Sequence, residues 1–325
     1  MLYPLKFAPI LKDKIWGGTK LKTLFNKPAT SDHLGESWEL SGYEGDESVV
    51  TNGFLAGNNL AELLEVYMGD LVGDRVFERY GHTFPLLFKL IDANDNLSIQ
   101  VHPNDETARA RHDSLGKTEM WYVVDADPGA ELIIGFAHDS SKEEYSQAVE
   151  RGEVERLLQH VPVQRGDVFF IPAGLVHAIG RGVVVAEIQE SSDITYRIYD
   201  YKRKDADGHE RELHVAQALD VIDFAASPRP KTPYEPRLNE PVELVSCDYF
   251  TTNSLRFDRE VVRDYAPIDS FVAYMCLEGA FYIVCEGSKT PVQRGETVLV
   301  PAAINEVKLV PSQPSALLEV YVQAK

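Results

Sequence analysis

The chain has 325 residues, with 51 acidic against 32 basic side chains and a net charge of −19. A surface this acidic argues against nucleic-acid and anionic-membrane partners, and a chain this long can bury roughly three quarters of its unfolded surface without covalent staples. Cys247, Cys276 and Cys285 form no C-x2-C pair, residues 1–6 carry no long apolar run, and no segment reaches membrane-spanning length, so a cytoplasmic protein with reduced thiols is expected.

Residues 1–55 hold short apolar runs broken by glycine, as in Ile15-Trp16-Gly17-Gly18, and read as strands and turns. The period changes over 58–80. Asn59 can cap a helix with Glu62 three residues on, and Leu60, Leu63, Leu64 and Tyr67 recur at helical spacing. A second short helix is expected over 72–80. Residues 84–91 return to strand, with Lys89 inside an apolar run. An unpaired buried ammonium is costly, so Lys89 either snorkels outward or points into a pocket.

The stretch Leu97-Ser98-Ile99-Gln100-Val101-His102-Pro103 alternates strictly. Leu97, Ile99 and Val101 take one face; Ser98, Gln100 and His102 take the other. After a loop over 103–116, Lys117 and Glu119 share a face of the next strand. A helix, or two short ones parted by Gly152, is expected over 140–160, with Ser140 as cap and Glu143 closing the box. Residues 163–201 are β again. They include Gly166-Asp167-Val168-Phe169-Phe170-Ile171-Pro172-Ala173-Gly174-Leu175-Val176-His177, and a later stretch in which Asp193, Thr195 and Arg197 share a face. Residues 202–212 read as a charged loop. Five prolines between 228 and 241 mark a stiff connection, and 242–325 reads as short strands.

Taken singly, a histidine in an apolar strand is a core residue and a glutamate near a lysine is a solvated pair. Taken together, His102, Glu119 and His177 supply two nitrogens and one carboxylate, with Gln100 as a fourth, oxygen-donating ligand. Such a set suits a divalent transition metal with a position left open. The G-x5-P-x-G-x2-H frame over 166–177 resembles the second motif of the cupin β-barrels, and the Gln/His strand with Glu119 resembles the first. Val163-Gln164-Arg165-Gly166 recurs as Val292-Gln293-Arg294-Gly295, a copy that sets Pro301 at Pro172 but Glu306 at His177. The expected fold is therefore mainly β, two cupin-type barrels (double-stranded β-helix or jelly roll) with a small helical insertion. Residues 1–235 would form the metal-binding unit, and 236–325 a second unit without metal ligands.

The chain is similar to the short bacterial form of the type I, zinc-dependent mannose-6-phosphate isomerases. The resemblance rests on Trp16-Gly17-Gly18, on Phe84-Pro85-Leu86-Leu87-Phe88-Lys89, on Ser98 to Pro103, on Lys117-Thr118-Glu119-Met120-Trp121, on Pro172 to His177, and on Ser192-Asp193 followed by Arg197. It implies one Zn2+ per chain on Gln100, His102, Glu119 and His177. It implies Arg197 and Lys117 as catalytic groups, with Lys89, Ser98 and Asp193 facing the substrate. It implies interconversion of mannose 6-phosphate and fructose 6-phosphate through a cis-enediol, a small-molecule sugar phosphate as the only partner, and a monomer or weak homodimer. After Arg197 the chain reads Ile198-Tyr199-Asp200-Tyr201-Lys202-Arg203, without the Gly/Thr/Pro/Lys segment of longer relatives, so no phosphate contact beyond Arg197 is assigned. The proton-transfer group is left among Lys117, Asp193, Glu187 and a metal-bound water. The rivals are an Fe(II) cupin dioxygenase, which shares the two-His, one-carboxylate set, and a non-catalytic sugar- or metal-binding double cupin.

Overall fold

The computed structural model describes residues 2–204 and 207–323, so residues 205 and 206 of the expected charged loop lie outside the described part. The first strands are β1 (Leu5–Lys6), β2 (Ile10–Gly18), β3 (Leu34–Ser41), β4 (Leu86–Ala93), β5 (Ile99–Val101) and β6 (Glu119–Ala126). Then come β7 (Glu131–Phe136), β8 (Leu158–Pro162), β9 (Val168–Ile171), β10 (His177–Ile179), β11 (Val183–Glu190) and β12 (Tyr196–Tyr199). One sheet runs β2-β3-β4-β11-β6-β9 and the other β12-β5-β10-β7-β8. Their facing sides share one core. Ile91, Trp121, Val123, Phe169 and Val185 come from the first sheet, and Leu97, Leu132, Ile134 and Ile179 from around the second. This is the expected jelly-roll arrangement of two antiparallel sheets.

β4 and β11 are buried along their whole length, because the outer face of their sheet is covered too. There Leu86, Phe88, Leu90, Met120, Val184 and Ile188 pack against residues such as Leu60, Leu64, Phe271, Met275 and Leu318. Each large apolar side chain buried this way is worth about 1.5–3 kcal/mol, so the shared core holds the N-terminal sheets against the C-terminal one.

That C-terminal sheet contains β13 (Pro241–Ser246), β14 (Thr251–Phe257), β15 (Val261–Asp264), β16 (Val272–Cys285), β17 (Ser288–Gln293), β18 (Thr297–Val300) and β19 (Glu306–Tyr321). It also takes in β1, with Leu5 opposite Leu299. The repeat read in the sequence has a physical counterpart. Gly166 and Gly295 both adopt positive φ, at 92° and 84°. The next residue in each copy, Asp167 or Glu296, accepts the backbone N–H of Gln164 or Gln293 at 2.9 Å. Each turn feeds a buried strand, β9 or β18, that ends at Pro172 or Pro301.

Among the described residues six α-helices accompany the sheets: α1 (Lys20–Phe25), α2 (Leu60–Val72), α3 (Asp74–Tyr80), α4 (Asp105–His112), α5 (Lys142–Arg151) and α6 (Val215–Val221). The capping box on α2 forms as expected, with Asn59 Oδ1 accepting from Glu62 N–H at 2.8 Å and Glu62 Oε2 from Asn59 N–H at 2.9 Å. The cap of α5 is Ser141, one residue later than expected, accepting from Glu144 N–H at 3.1 Å. Ser140 instead donates to the Glu144 carboxylate. Gly152 ends α5 in the left-handed region, and Leu158, expected in a helix, opens β8. The expected loop 103–116 contains α4, capped by Asn104. Ala108 is its one buried residue, so no apolar periodicity betrays it in the sequence.

Candidate functional site

Three strands bring the predicted ligands together. His177 opens β10 directly opposite Gln100 of β5, and Arg197 of β12 flanks Gln100 from the other side. His102 follows β5 by one residue. Glu119 comes from the other sheet, at the start of β6 opposite Ile171. The group therefore spans the sandwich, and His102, Glu119 and His177 are 1%, 0% and 1% exposed.

Their donor atoms converge within 4.8 Å of one another. His102 Nδ1 donates to the Ile194 carbonyl at 2.9 Å and His177 Nδ1 to the Leu175 carbonyl at 2.8 Å. A carbonyl only accepts, so both rings carry their proton on Nδ1 and turn the Nε2 lone pair inward. The two Nε2 atoms face each other at 3.1 Å. Glu119 Oε1 lies 3.4 Å from His177 Nε2, and Oε2 lies 3.7 Å from His102 Nε2. Neither carboxylate oxygen has a hydrogen-bond partner. Burial holds both histidines neutral, His177 down to about 3 and His102 well below its ordinary value. Burial and then Glu187 push Glu119 up, against the pull of Lys117 and Lys89. Buried lone pairs aimed at one point, faced only by the Gln100 amide at 3.4 Å and the Lys117 ammonium at 3.6 Å, are what a cation would satisfy. Gln100 turns its Nε2 toward His177 at 3.4 Å, and its Oε1 accepts from Ser98 Oγ at 3.5 Å. To serve as an oxygen ligand its amide must make a half turn.

Above this group lies a cleft of about 230 Å³. Lys14, Lys89, Lys117, Arg197 and Arg211 line it against three carboxylates, Glu36, Glu187 and Asp193. This local cationic excess stands on a chain of net −19. A wider cavity of about 480 Å³ beside Asp127, Glu131 and His160 has no such set, and it contains none of the converging donors.

Lys89 points inward. Its Nζ lies 3.4 Å from Glu187 Oε1 and over the Trp38 ring at 5.0 Å. Burial alone would discharge it, yet Glu187 and Glu36 hold its pKa above the ordinary lysine value. Glu36 is the converse case: burial would raise it, but Lys89 and Lys14 hold it down to about 2. Glu187 accepts from Trp121 Nε1 at 2.8 Å through Oε2, while Oε1 makes no hydrogen bond. Lys117 Nζ sits 3.6 Å from Glu119. Ser98, Asp193 and Arg197 also line the cleft, but no ion pair joins Asp193 to Arg197 among the described residues. Arg197 donates instead from Nη1 to the Glu212 carbonyl at 2.9 Å. Asp193, though expected on the same face, thus does not orient the fork; the return limb of the following loop does so.

Sequence reasoning missed Lys14, Glu36 and Arg211. Glu36 carried a signal, since it alternates with Trp38 on a strand and cannot be buried there without a cation. Arg211 carried none, because it lies in a run that reads as solvated charge.

Behind the cleft, Glu190 is 2% exposed; its Oε2 accepts from Thr118 N–H at 2.7 Å and its Oε1 has no partner. Burial and then Asp105 push it up to about 8 from its ordinary 4.5. The folded chain thus keeps a proton that the unfolded chain releases, so this contribution to stability is full below about pH 4.5 and is lost as pH rises through about 8. Glu190→Gln is expected to flatten that fall. Melting temperatures of parent and variant across this range check it, and parallel curves would refute it.

Two facing antiparallel sheets, the Gly/Pro turn before His177, and the converging donors define a cupin with a candidate metal centre below a cationic cleft. A family model described as phosphomannose isomerase type I, catalytic domain, matches residues 4–157. Mannose-6-phosphate isomerase ManA of Bacillus subtilis is 38% identical over 313 residues, which cover 94% of this chain and 95% of that one. The mannose-6-phosphate isomerase of Streptococcus mutans is 38% identical over 307 residues, 94% of each chain. The crystal structure of the mannose 6-phosphate isomerase from Bacillus subtilis superposes with a TM-score of 0.86 at 33% identity, covering 99% of this chain and all of that one. The chain belongs to the type I phosphomannose isomerase family.

Proposed function

We propose that the chain is a mannose-6-phosphate isomerase, moving a proton between C2 and C1 of the sugar phosphate through a cis-enediol. We further propose one zinc ion per chain, on His102, Glu119, His177 and the turned amide of Gln100. The observation that carries this reading is the pair of inward lone pairs at 3.1 Å beside a buried carboxylate that accepts no hydrogen bond, opening on a cation-lined cleft. Zinc with ligand bonds of about 2.0–2.1 Å in tetrahedral geometry separates its ligand atoms by about 3.3 Å, close to the 3.1, 3.4 and 3.7 Å found among these donors.

When bound, the ion supplies Lewis-acid stabilisation of charge developing on the sugar oxygens, without redox chemistry. The chain's own groups do the rest. Lys117 and Lys89 add fixed positive charge where the enediolate develops. Glu187, oriented by Trp121 and with Oε1 paired to Lys89 at 3.4 Å but in no hydrogen bond, is placed in the cleft to move a proton at C1 or C2. Asp193 and Ser98 face the sugar, and Arg197 offers its fork to the phosphate. The cationic cleft and the family favour this reading over an Fe(II) dioxygenase, and the buried carboxylate and lysine set favour it over a binding protein. In this reading residues 1–235 carry the chemistry and 236–325 are a structural partner, with Glu306 an ordinary acid. The setting is the cytoplasm, and the chain acts as a monomer or weak homodimer.

The test is fructose 6-phosphate formation from mannose 6-phosphate, before and after a chelator, with elemental analysis of the purified chain. Stoichiometric zinc is expected, with activity lost to the chelator and restored by added zinc. Stoichiometric iron with no isomerisation would overturn the reading.

A further inference from the structure

The loop that leaves β12 returns to it. His214 N–H donates to the Arg197 carbonyl at 2.7 Å, and Arg197 N–H donates to His214 Nδ1 at 3.1 Å. The return limb is thereby pinned beside Arg197, and it carries Arg211. Asp200, 4% exposed, grips that side chain in a fork: Arg211 Nε donates to Oδ2 at 2.7 Å and Nη2 to Oδ1 at 2.6 Å. These bonds use two of the five N–H groups of the guanidinium. Arg203 shares the Asp200 carboxylate but turns away from the cleft, donating from Nη1 to the Asn96 carbonyl.

Arg211 and Arg197 line the same wall of the cleft, with Ser98 and Thr195. They are close enough that, after burial, Arg211 is the main cause of the lowered pKa of Arg197. Arg197 Nε is buried and has no hydrogen-bond partner. Asp200 is already divided between Arg211 and Arg203. Two adjacent guanidiniums, one with an unsatisfied N–H, thus share a wall with no carboxylate bridging them among the described residues. A tetrahedral dianion would supply the missing acceptors and relieve the repulsion, as planar guanidinium forks recognise phosphate oxygens.

We propose that Arg211 is a second phosphate-binding residue beside Arg197, and that Asp200 is the positioning residue that holds its fork toward the cleft. The inference rests on the reading of the substrate as a sugar phosphate. Inorganic phosphate is the probe for the subsite alone.

The experiment compares zinc-loaded parent, Arg211→Ala, Arg211→Lys and Asp200→Asn. It uses steady-state kinetics on mannose 6-phosphate, competitive inhibition by inorganic phosphate, and calorimetric phosphate binding. Losing a charge-assisted contact should raise KM and the phosphate inhibition constant of Arg211→Ala together, by roughly ten- to a hundredfold, with a smaller change in kcat. Arg211→Lys, which keeps the charge and protects against a folding failure, should recover part of the loss. Asp200→Asn should move both constants the same way. A folded Arg211→Ala, or Arg211→Lys if the first does not fold, with both constants within about twofold of the parent overturns the proposal. A parent that binds phosphate through Arg211 but does not isomerise mannose 6-phosphate would overturn the function reading and leave the subsite standing.

Discussion

His177→Ala is expected to lose its metal and its isomerase activity together while the chain stays folded. His177 is the residue on which the whole site converges. Its Nε2 meets His102 Nε2 at 3.1 Å, Glu119 Oε1 at 3.4 Å and Gln100 Nε2 at 3.4 Å. Its Nδ1 is fixed on the Leu175 carbonyl, so the ring cannot swing away from that point. Removing it leaves one imidazole, one carboxylate and the weakly donating amide of Gln100, too poor a ligand set for a tight tetrahedral site. Without the ion, only Lys117 and Lys89 remain to stabilise charge on the sugar oxygens, and turnover should fall close to the assay background. The fold should survive. A large-to-small change in a core costs about 2–5 kcal/mol, and the ring packs edge-on against Trp121 at 5.3 Å, but the two large cores beside the C-terminal sheet do not include it. Any fall in melting temperature should include the lost linkage of metal to the folded state. Elemental analysis after gel filtration, circular dichroism and turnover together decide the matter. A folded variant with full metal content would remove His177 from the ligand set.

The residues of the candidate site were legible in the sequence for a local reason. β5 alternates strictly, so Gln100 and His102 had to share a face, and the Gly/Pro turn had to deliver His177 at the next strand. Glu119 was legible only as a companion, since nothing local distinguishes it from a solvated acid. Lys89 was ambiguous because its answer is non-local: strand register sets Glu187 directly opposite it on β11 and Trp38 on β3, and those neighbours make burial tolerable. The helix α4 was invisible because it is polar on nearly every side. The pairing of β1 with the C-terminal sheet was equally hidden, since two residues carry no period. Arg211 is the sharpest case. A charged loop with a turn at its tip reads as solvated, and only the fork with Asp200 turns one of its arginines into a wall of the cleft.

Arg197→Ala should damage catalysis far more than folding or metal content. Arg197 sits opposite Gln100 in the sheet register, so its side chain leaves the backbone beside the metal group. Were it half of a surface ion pair with Asp193, truncation would cost about 0–1 kcal/mol of stability and leave turnover alone. The geometry is otherwise. Among the described residues its side chain donates to a backbone carbonyl, that of Glu212, and its Nε is buried without an acceptor. Burial and the neighbouring Arg211 both disfavour its charge. A guanidinium kept in such surroundings on a chain of net −19 is held ready for an anion from outside. Losing a contact of this kind in the transition state should raise the barrier by about 3–4 kcal/mol, a rate loss of order a hundred- to a thousandfold. Relief of the repulsion with Arg211 should leave the melting temperature close to the parent's. Arg197→Lys should recover only part of the activity, because an ammonium restores the charge but not the planar fork. Turnover, metal content and melting temperature of both variants are the measurements. If Arg197→Ala turns over like the parent with its metal in place, the arginine is structural and the phosphate must be held elsewhere in the cleft.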